Sequence, residues 1–336
     1  MQAQHDTPTI GSTAWFVWLP NAPRAYYLLV ALLVGLAFKL TWEGCGLLSG
    51  QAGSVNVQID TRFATIIGVL TAFLIAAGNW VLRQTAKDWS RISVPDLDRT
   101  ALTVATFAQG RRSVLLCTLA GVLMGGFQLS VTGDLEMLSH GYSLAPVATM
   151  TLVVLFWMLV VQVGGTFLTL IWGFYRLGLA VEPDLLRLER LAPFSYVGLR
   201  ILAVNATSMA ILVFMVGPLG SSDLSGLSVP LGFTALISVP CFLLPQIGVR
   251  RSIRRTRGRI LAQLDARLDQ TGFPSPAALE SDDSARRVAD LAALREQIAR
   301  GSDWPVSGIG WLRFGILLLL PAASWAADKL ILSLLA

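Results

Sequence analysis

The sequence predicts an all-α fold: a polytopic transmembrane helical bundle of seven spans with a cytoplasmic helical hairpin. Three observations lead there. No Asp, Glu, Lys, Arg or His appears in the 35 residues from Gly141 to Tyr175, and a bilayer core about 30 Å thick needs only about 20 apolar helical residues. Charged residues make up 14% of the chain and hydrophobic ones 54%, with mean hydropathy +0.62, against about a quarter charged in ordinary soluble domains. The one sizeable polar stretch, Arg250 to Asp303, lies between apolar blocks.

Residues 1–24 read as a cytoplasmic N-terminal segment, with Trp15, Phe16, Trp18 and Pro20 suited to the inner interface. No small-residue cleavage pattern follows the first apolar stretch cleanly, so no cleaved signal peptide is expected. Residues 25–249 hold six spans. They are Ala25 to Trp42, Phe63 to Leu82, Ser113 to Gly133, the Gly141 stretch, Ile201 to Ser222, and Leu224 to Val249. All but the first, which carries Lys39, are uncharged.

The connections are short or irregular. Gly44 to Asp60 is rich in Gly, Ser and Gln and reads as an irregular outer loop. The inner loop Gln84 to Gly110 carries Pro95 and a short helix with Leu102, Val104 and Phe107 as its apolar members. Leu185, Leu188 and Leu191 stand three apart in Asp184 to Leu191, the spacing of an interfacial helix. Gly217 to Pro230 reads as a turn.

In residues 250–303, Ile253, Ile260, Leu264 and Leu268 mark one helix, and Val288, Leu291, Leu294 and Ile298 a second. Thr271-Gly272-Phe273-Pro274-Ser275-Pro276 breaks the chain between them. The two stripes can pack on each other, on the inner loops, or on a neighbouring copy. Residues 304–336 hold the last segment. Only 14 residues separate Arg313 from Asp328, with Pro321 among them. Snorkelling basic side chains allow Trp311 to Leu330 to cross, and the alternative is a re-entrant or kinked segment.

Basic residues fix the orientation. With an inner N-terminus, 23 of the 26 Lys and Arg fall inside, leaving Lys39, Arg62 and Lys329 outside. The N-terminus is therefore expected in the cytoplasm and the C-terminus outside. The formal charge of +5 and pI near 9.4 follow from this bias and imply no nucleic acid. Arg250, Arg251, Arg254 and Arg255 directly follow a span and suit anionic lipid headgroups; an anionic ligand or a protein partner is the other reading.

The elements Phe242-Leu243-Leu244-Pro245, Arg250-Arg251, the charged hairpin, Trp304-Pro305 and Leu317-Leu318-Leu319-Leu320-Pro321 cover about the last hundred residues. In this arrangement the chain resembles an uncharacterised family of bacterial and archaeal multi-pass membrane proteins. The resemblance implies a polytopic membrane protein with a cytoplasmic helical insert, and no activity. It fits a bacterial inner, or cytoplasmic, membrane.

Catalytic chemistry is poorly provisioned. His5 and His140 are the two histidines, and no phosphate-cradling glycine loop, nucleophile elbow or His-Glu-x-x-His stands in the chain. No catalytic residue and no cofactor is expected. Asp134, Glu136 and His140 are ligand types for a divalent ion, but their spacing in a short outer loop reads better as solvated side chains. Cys45 falls outside while Cys117 and Cys241 fall in spans, so no disulfide framework is expected. The six clear spans also lack Asp, Glu and His, which weighs against proton-coupled transport.

The polar residues inside the spans are neutral: Asn79, Gln128, Gln162, Thr166, Asn205 and Gln246. Asn79, Asn205 and Gln246 stand four or five residues from Arg83, Arg200 and Arg250, about 6 to 8 Å below the inner boundary at 1.5 Å per residue. Such a layer either fastens helices together or, with Gln162, lines a pore or polar vestibule. Small residues four apart, Gly121 and Gly125, and Gly68, Ala72 and Ala76, make smooth faces for packing within or between copies. Gly164-Gly165 suits a kink or a close approach.

These features lead us to expect an oligomeric, channel-like or uncoupled transport protein. The alternative is a membrane-anchored signalling or scaffold protein whose hairpin recruits a partner; a membrane enzyme comes third. The expected associates are the bilayer, anionic headgroups and further copies of the chain. On this topology a reporter fused after Ala336 should report outside and one inserted at Ser275 should report the cytoplasm. A cytoplasmic C-terminal reporter would make the last segment re-entrant.

Overall fold

The computed structural model describes residues 24–48, 55–92, 111–131, 144–216, 225–270, 282–306 and 308–335. All regular structure among them is helical: α1 Arg24–Leu48, α2 Val55–Arg91, α3 Arg111–Val131, α4 Leu144–Ala180, α5 Ala192–Val216, α6 Ser225–Gln270, α7 Asp282–Arg300 and α8 Gly308–Leu335. Among the described residues, four stretches are long and apolar enough to cross a membrane: Ala64–Arg91, Arg112–Ser130, Met150–Ala180 and Leu188–Val213. Leu28–Thr41 and Gly308–Ser324 are shorter apolar helices.

Several helices outrun their apolar stretches, because a buried stripe continues past the charges. In α2 the stripe runs on through Val81, Leu82, Thr85, Asp88 and Trp89 to Ile92, all buried. Helix α6 keeps its course through Pro240 and Pro245 and on past the arginines at Arg250 and Arg251. One long rod therefore joins an apolar half to a charged half.

Three expectations about connections are corrected. Residues 44–48 and 55–60 are helical, so Gly44 to Asp60 is not an irregular loop over its whole length. Ser225 to Pro230 are helical as well, which shortens the Gly217 to Pro230 turn. Within Asp184 to Leu191 only Leu188–Leu191 is helical, as a single 3₁₀ turn. Pro183 disfavours helix in the residue before it, and the Asp184 carboxylate accepts a 3.1 Å bond from the Leu186 N–H, a local turn that competes with a helix start. The aromatic N-terminal cluster, the short helix at Leu102 to Phe107, the outer residues Asp134, Glu136 and His140, and the break at Thr271 to Pro276 lie outside the described residues.

Helices α2, α4, α5 and α6 build the core, with α1 on α2 and α4, α3 on α4, α8 on α5, and α7 on the charged half of α6. At the end of the bundle that holds Trp89, Phe174 and Phe194, three buried rings meet edge to face at 5.1 and 5.7 Å and join α2, α4 and α5. The helices approach closely where one presents a glycine. A methyl group at Gly35 would meet the Gly68 carbonyl oxygen at 2.5 Å, and one at Gly68 would meet that of Gly35 at 2.7 Å. One at Gly121 would fall 2.5 Å from the Met158 Cα, and one at Gly125 would fall 2.9 Å from the Val154 Cα. The smooth face of α3 is thus used inside the chain, on α4. Gly164 faces open space, so close approach does not explain it.

Two glycines in α6 give opposite expectations. A methyl group at Gly248 would come within 2.4 Å of the Tyr175 carbonyl oxygen, whereas one at Gly258 meets nothing within 4 Å. Gly248→Ala should therefore lower stability by about 1–3 kcal/mol through overpacking, and Gly258→Ala should raise it by up to about 1 kcal/mol through helix propensity. Thermal unfolding in detergent should move Tm in opposite directions for the two variants; equal shifts would contradict the close approach at Gly248.

Candidate functional site

Gln162, Asn205 and Gln246 of the expected polar layer each make their own hydrogen bonds. Asn205 on α5 donates through Nδ2 to the Ser238 hydroxyl of α6 at 2.8 Å. Gln162 on α4 donates through Nε2 to the Val114 carbonyl and the Thr118 hydroxyl of α3, both at 3.1 Å. The Trp157 indole N–H donates to the Gln128 Oε1 across the same pair of helices. Gln246 is fully buried and donates to the Phe242 carbonyl of its own helix at 2.9 Å, and Thr166 bonds back to the Gln162 carbonyl at 2.9 Å. Asn79 is buried in α2.

Three hydrogen bonds fasten α3 to α4 and one fastens α5 to α6, each worth about 0.6 kcal/mol in a membrane. The Oε1 atoms of Gln162 and Gln246 are buried without a hydrogen-bond partner among the described residues. Among those residues, no group of three or more His, Cys, Asp or Glu side chains gathers to hold a metal ion.

One charged pair escapes a reading by apolar stretches alone. Asp88, buried in α2, meets Arg200 of α5 at 2.6 Å, and Arg91 lies 3.7 Å from its other oxygen. The closer contact is a charge pair whose N–H is not aligned on the oxygen. Without Asp88, Arg200 loses its 2.6 Å carboxylate partner, whereas without Arg200 the Asp88 carboxylate keeps Arg91 at 3.7 Å. Continuing the α2 stripe in steps of three and four, from Val81 through Thr85 to Asp88 and Ile92, is the signal that finds it.

The basic run after residue 249 is drawn into a clasp. Asp303, beyond α7, accepts from the Arg254 Nε at 2.8 Å and from the Arg257 Nη1. The Arg257 Nη2 also donates to the Ser302 carbonyl at 2.9 Å. The Arg250 guanidinium lies 4.4 Å above the Trp304 ring, a cation–π contact. Trp304 in turn meets Trp311 of α8 edge to face, and Trp311 and Phe314 both meet Phe242 of α6. Arg251 donates to the Tyr175 hydroxyl at 2.7 Å.

Of the four arginines expected to meet anionic headgroups or a partner, Arg250, Arg251 and Arg254 thus have partners within the chain, and Arg255 is exposed. Arg254 keeps more than half of its side chain exposed. The two stripes of residues 250–303 pack on each other. Leu264 and Leu268 of α6 and Val288 and Ile298 of α7 are buried, and Arg295 pairs with Asp265 across the two helices at 2.6 Å.

No protein-family model, curated protein or solved structure matches the chain.

The hydrogen bond from Arg254, aided by the charges of Arg257, Arg254 and Arg250 against the opposing effect of burial, holds the Asp303 carboxyl below the usual carboxylate range. A lowered folded value means that the clasp adds stability above the unfolded pKa near 4, and loses it as pH falls through the lower folded value. Trypsin cleavage at Arg254 and Arg257 should therefore stay slow at neutral pH in the wild type and speed up several-fold in Asp303→Asn. Acid-pulsed wild type, assayed by hydrogen exchange of residues 250–260, should loosen only below the usual carboxylate range, and loosening already at pH 5 would contradict the clasp.

Proposed function

We propose that the protein is a seven-span inner-membrane protein that forms an oligomeric, channel-like or uncoupled conduction path under the control of its cytoplasmic hairpin. The crossings in this reading are the four long apolar stretches together with α1, the apolar half of α6, and α8. Basic residues support the orientation: Arg91, Arg200, Arg250 and Arg313 belong to the same end of the bundle, tied together through Asp88, the Trp89–Phe174–Phe194 cluster and the clasp.

The observation that carries the proposal is the coupling of α7 and the charged half of α6 to the apolar half of α6 and to α8. Helix α6 is unbroken over 46 residues, and Arg250, Arg254, Asp303 and Trp304 link its base to α8. A displacement of the hairpin must move the apolar half of α6 or break the clasp. That is the mechanical arrangement a gated membrane protein requires.

The amides of Gln162 and Asn205 are engaged in hydrogen bonds to neighbouring helices, so the support for this reading comes from the hairpin instead. The scaffold alternative loses support, since Val288 and Ile298, through which a partner would dock, are buried against α6. Recruitment through that stripe requires the hairpin to open.

Purified protein in liposomes should pass small ions unaided, and Asp303→Asn should change that flux at least several-fold while leaving membrane insertion intact. Silent liposomes, in protein that is folded and oligomeric, would end the conduction reading. A partner that co-purifies only when the hairpin is opened would favour the scaffold.

A further inference from the structure

On the side of the bundle, α2, α5 and α8 border an open groove of about 480 Å³, within the usual size of a small-molecule site. Its walls are Trp80, Tyr196, Leu199, Ala203, Ile316 and Leu317, and two arginines, Arg200 and Arg313, stand in it. The apolar length and the paired guanidiniums describe one chemistry: an amphiphile with an anionic head and a hydrocarbon tail. Trp80 and Tyr196 are nearly half exposed, and amphipathic rings of this kind sit at the headgroup level of a bilayer.

Charge agrees. Arg200 is partly neutralised by Asp88, which Arg91 also approaches. Three arginines, Arg91, Arg200 and Arg313, then stand against one aspartate, and the excess is positive. Arg200 is held in place from two sides, by Asp88 at 2.6 Å and by the Tyr196 ring 5.9 Å away, so it is preorganised rather than recruited by the ligand. Arg313 is exposed, with its donors available to a phosphate.

We propose that this groove binds one anionic phospholipid of the inner leaflet, its phosphate on Arg313 and Arg200 and an acyl chain along Leu199, Ala203, Ile316 and Leu317. The site is distinct from the basic run at Arg250 to Arg255. It rests on the membrane reading given above and is independent of conduction.

Native mass spectrometry of the detergent-purified chain, with phosphatidylglycerol, phosphatidylcholine of the same chain length, and inorganic phosphate added separately, tests it. The expected result is one phosphatidylglycerol retained per chain, with about a tenfold preference over phosphatidylcholine, the size of one charge-assisted contact. Inorganic phosphate should not be retained. Arg313→Gln should lose the preference, and Ile316→Trp, which fills the groove without touching a charge, should lose the lipid. Arg200 is left intact because its pairing with Asp88 is structural.

Equal retention of both lipids, phosphate retained without a lipid, undiminished binding in both variants, or a second copy of the chain displaced by Ile316→Trp would each overturn the site. Extraction of the wild-type chain by alkaline carbonate would remove the membrane reading itself. Loss of lipid preference in a chain that stays in the membrane removes this site alone.

Discussion

At Gly248 the backbone of α6 lies so near α4 that a methyl group would come within 2.4 Å of the Tyr175 carbonyl oxygen, and the reverse contact at Gly178 would bring one within 2.8 Å of the Val249 nitrogen. Gly198 of α5 meets Phe242 of α6 in the same way, at 2.9 Å from its Cα. Three backbones are thus set against one another with almost no side chain between them, and the register of α6 is fixed to within a turn. That register puts Ser252 where its hydroxyl donates to the Val181 carbonyl, and Arg251 where it reaches the Tyr175 hydroxyl. It also carries Arg250, Arg254 and Arg257 to Trp304 and Asp303.

Close backbone contact matters more here than in a water-soluble bundle. Between helices in hydrocarbon, apolar burial gives no net drive, since a lipid chain is as apolar as leucine; small residues and interhelical hydrogen bonds supply the association instead. The glycine contacts at α1–α2, α3–α4, α4–α6 and α5–α6 and the side-chain bonds of Gln162 and Asn205 fit that requirement. The outer faces fit it as well. Leu28, Leu29, Leu32, Leu33, Leu36 and Leu40 of α1 and Leu115, Leu116, Leu119, Leu123 and Phe127 of α3 are exposed, an apolar area far beyond what a soluble monomer presents to water.

The charged end of the molecule has the residue pattern of helices that meet water. Helix α7 buries Val288 and Ile298 against Leu264 and Leu268 while its other faces carry charge, the ordinary amphipathic pattern. The clasp stands where the two regimes meet. Its ion pairs reach solvent chiefly through Arg254, and Arg250 on Trp304 and Trp304 on Trp311 extend it into an aromatic cluster with Phe242 and Phe314. Charge thereby joins the polar pair of helices to the apolar body.

Helix positions were legible in the sequence because uncharged runs of about 20 residues have few alternatives, and the two stripes after residue 250 were legible because their three-and-four spacing is that of a helix face. Helix ends were not, since α2 and α6 continue through charges that only a neighbour's surface can bury. Asp184 to Leu191 misled for the opposite reason: its leucine spacing is helical, but Pro183 and the Asp184 carboxylate hold the backbone in a turn. The sequence by itself determined that apolar helices dominate and that Asn79, Asn205 and Gln246 stand four or five residues from Arg83, Arg200 and Arg250. Only the tertiary structure decided that those amides face different neighbours, that Gly121 and Gly125 are filled by α4, and that Asp88 and Asp303 are held by arginines far away in sequence. Position along one helix is fixed by counting residues, whereas the level at which it meets another helix, the direction a side chain faces and what it meets there depend on how the helices are set against one another.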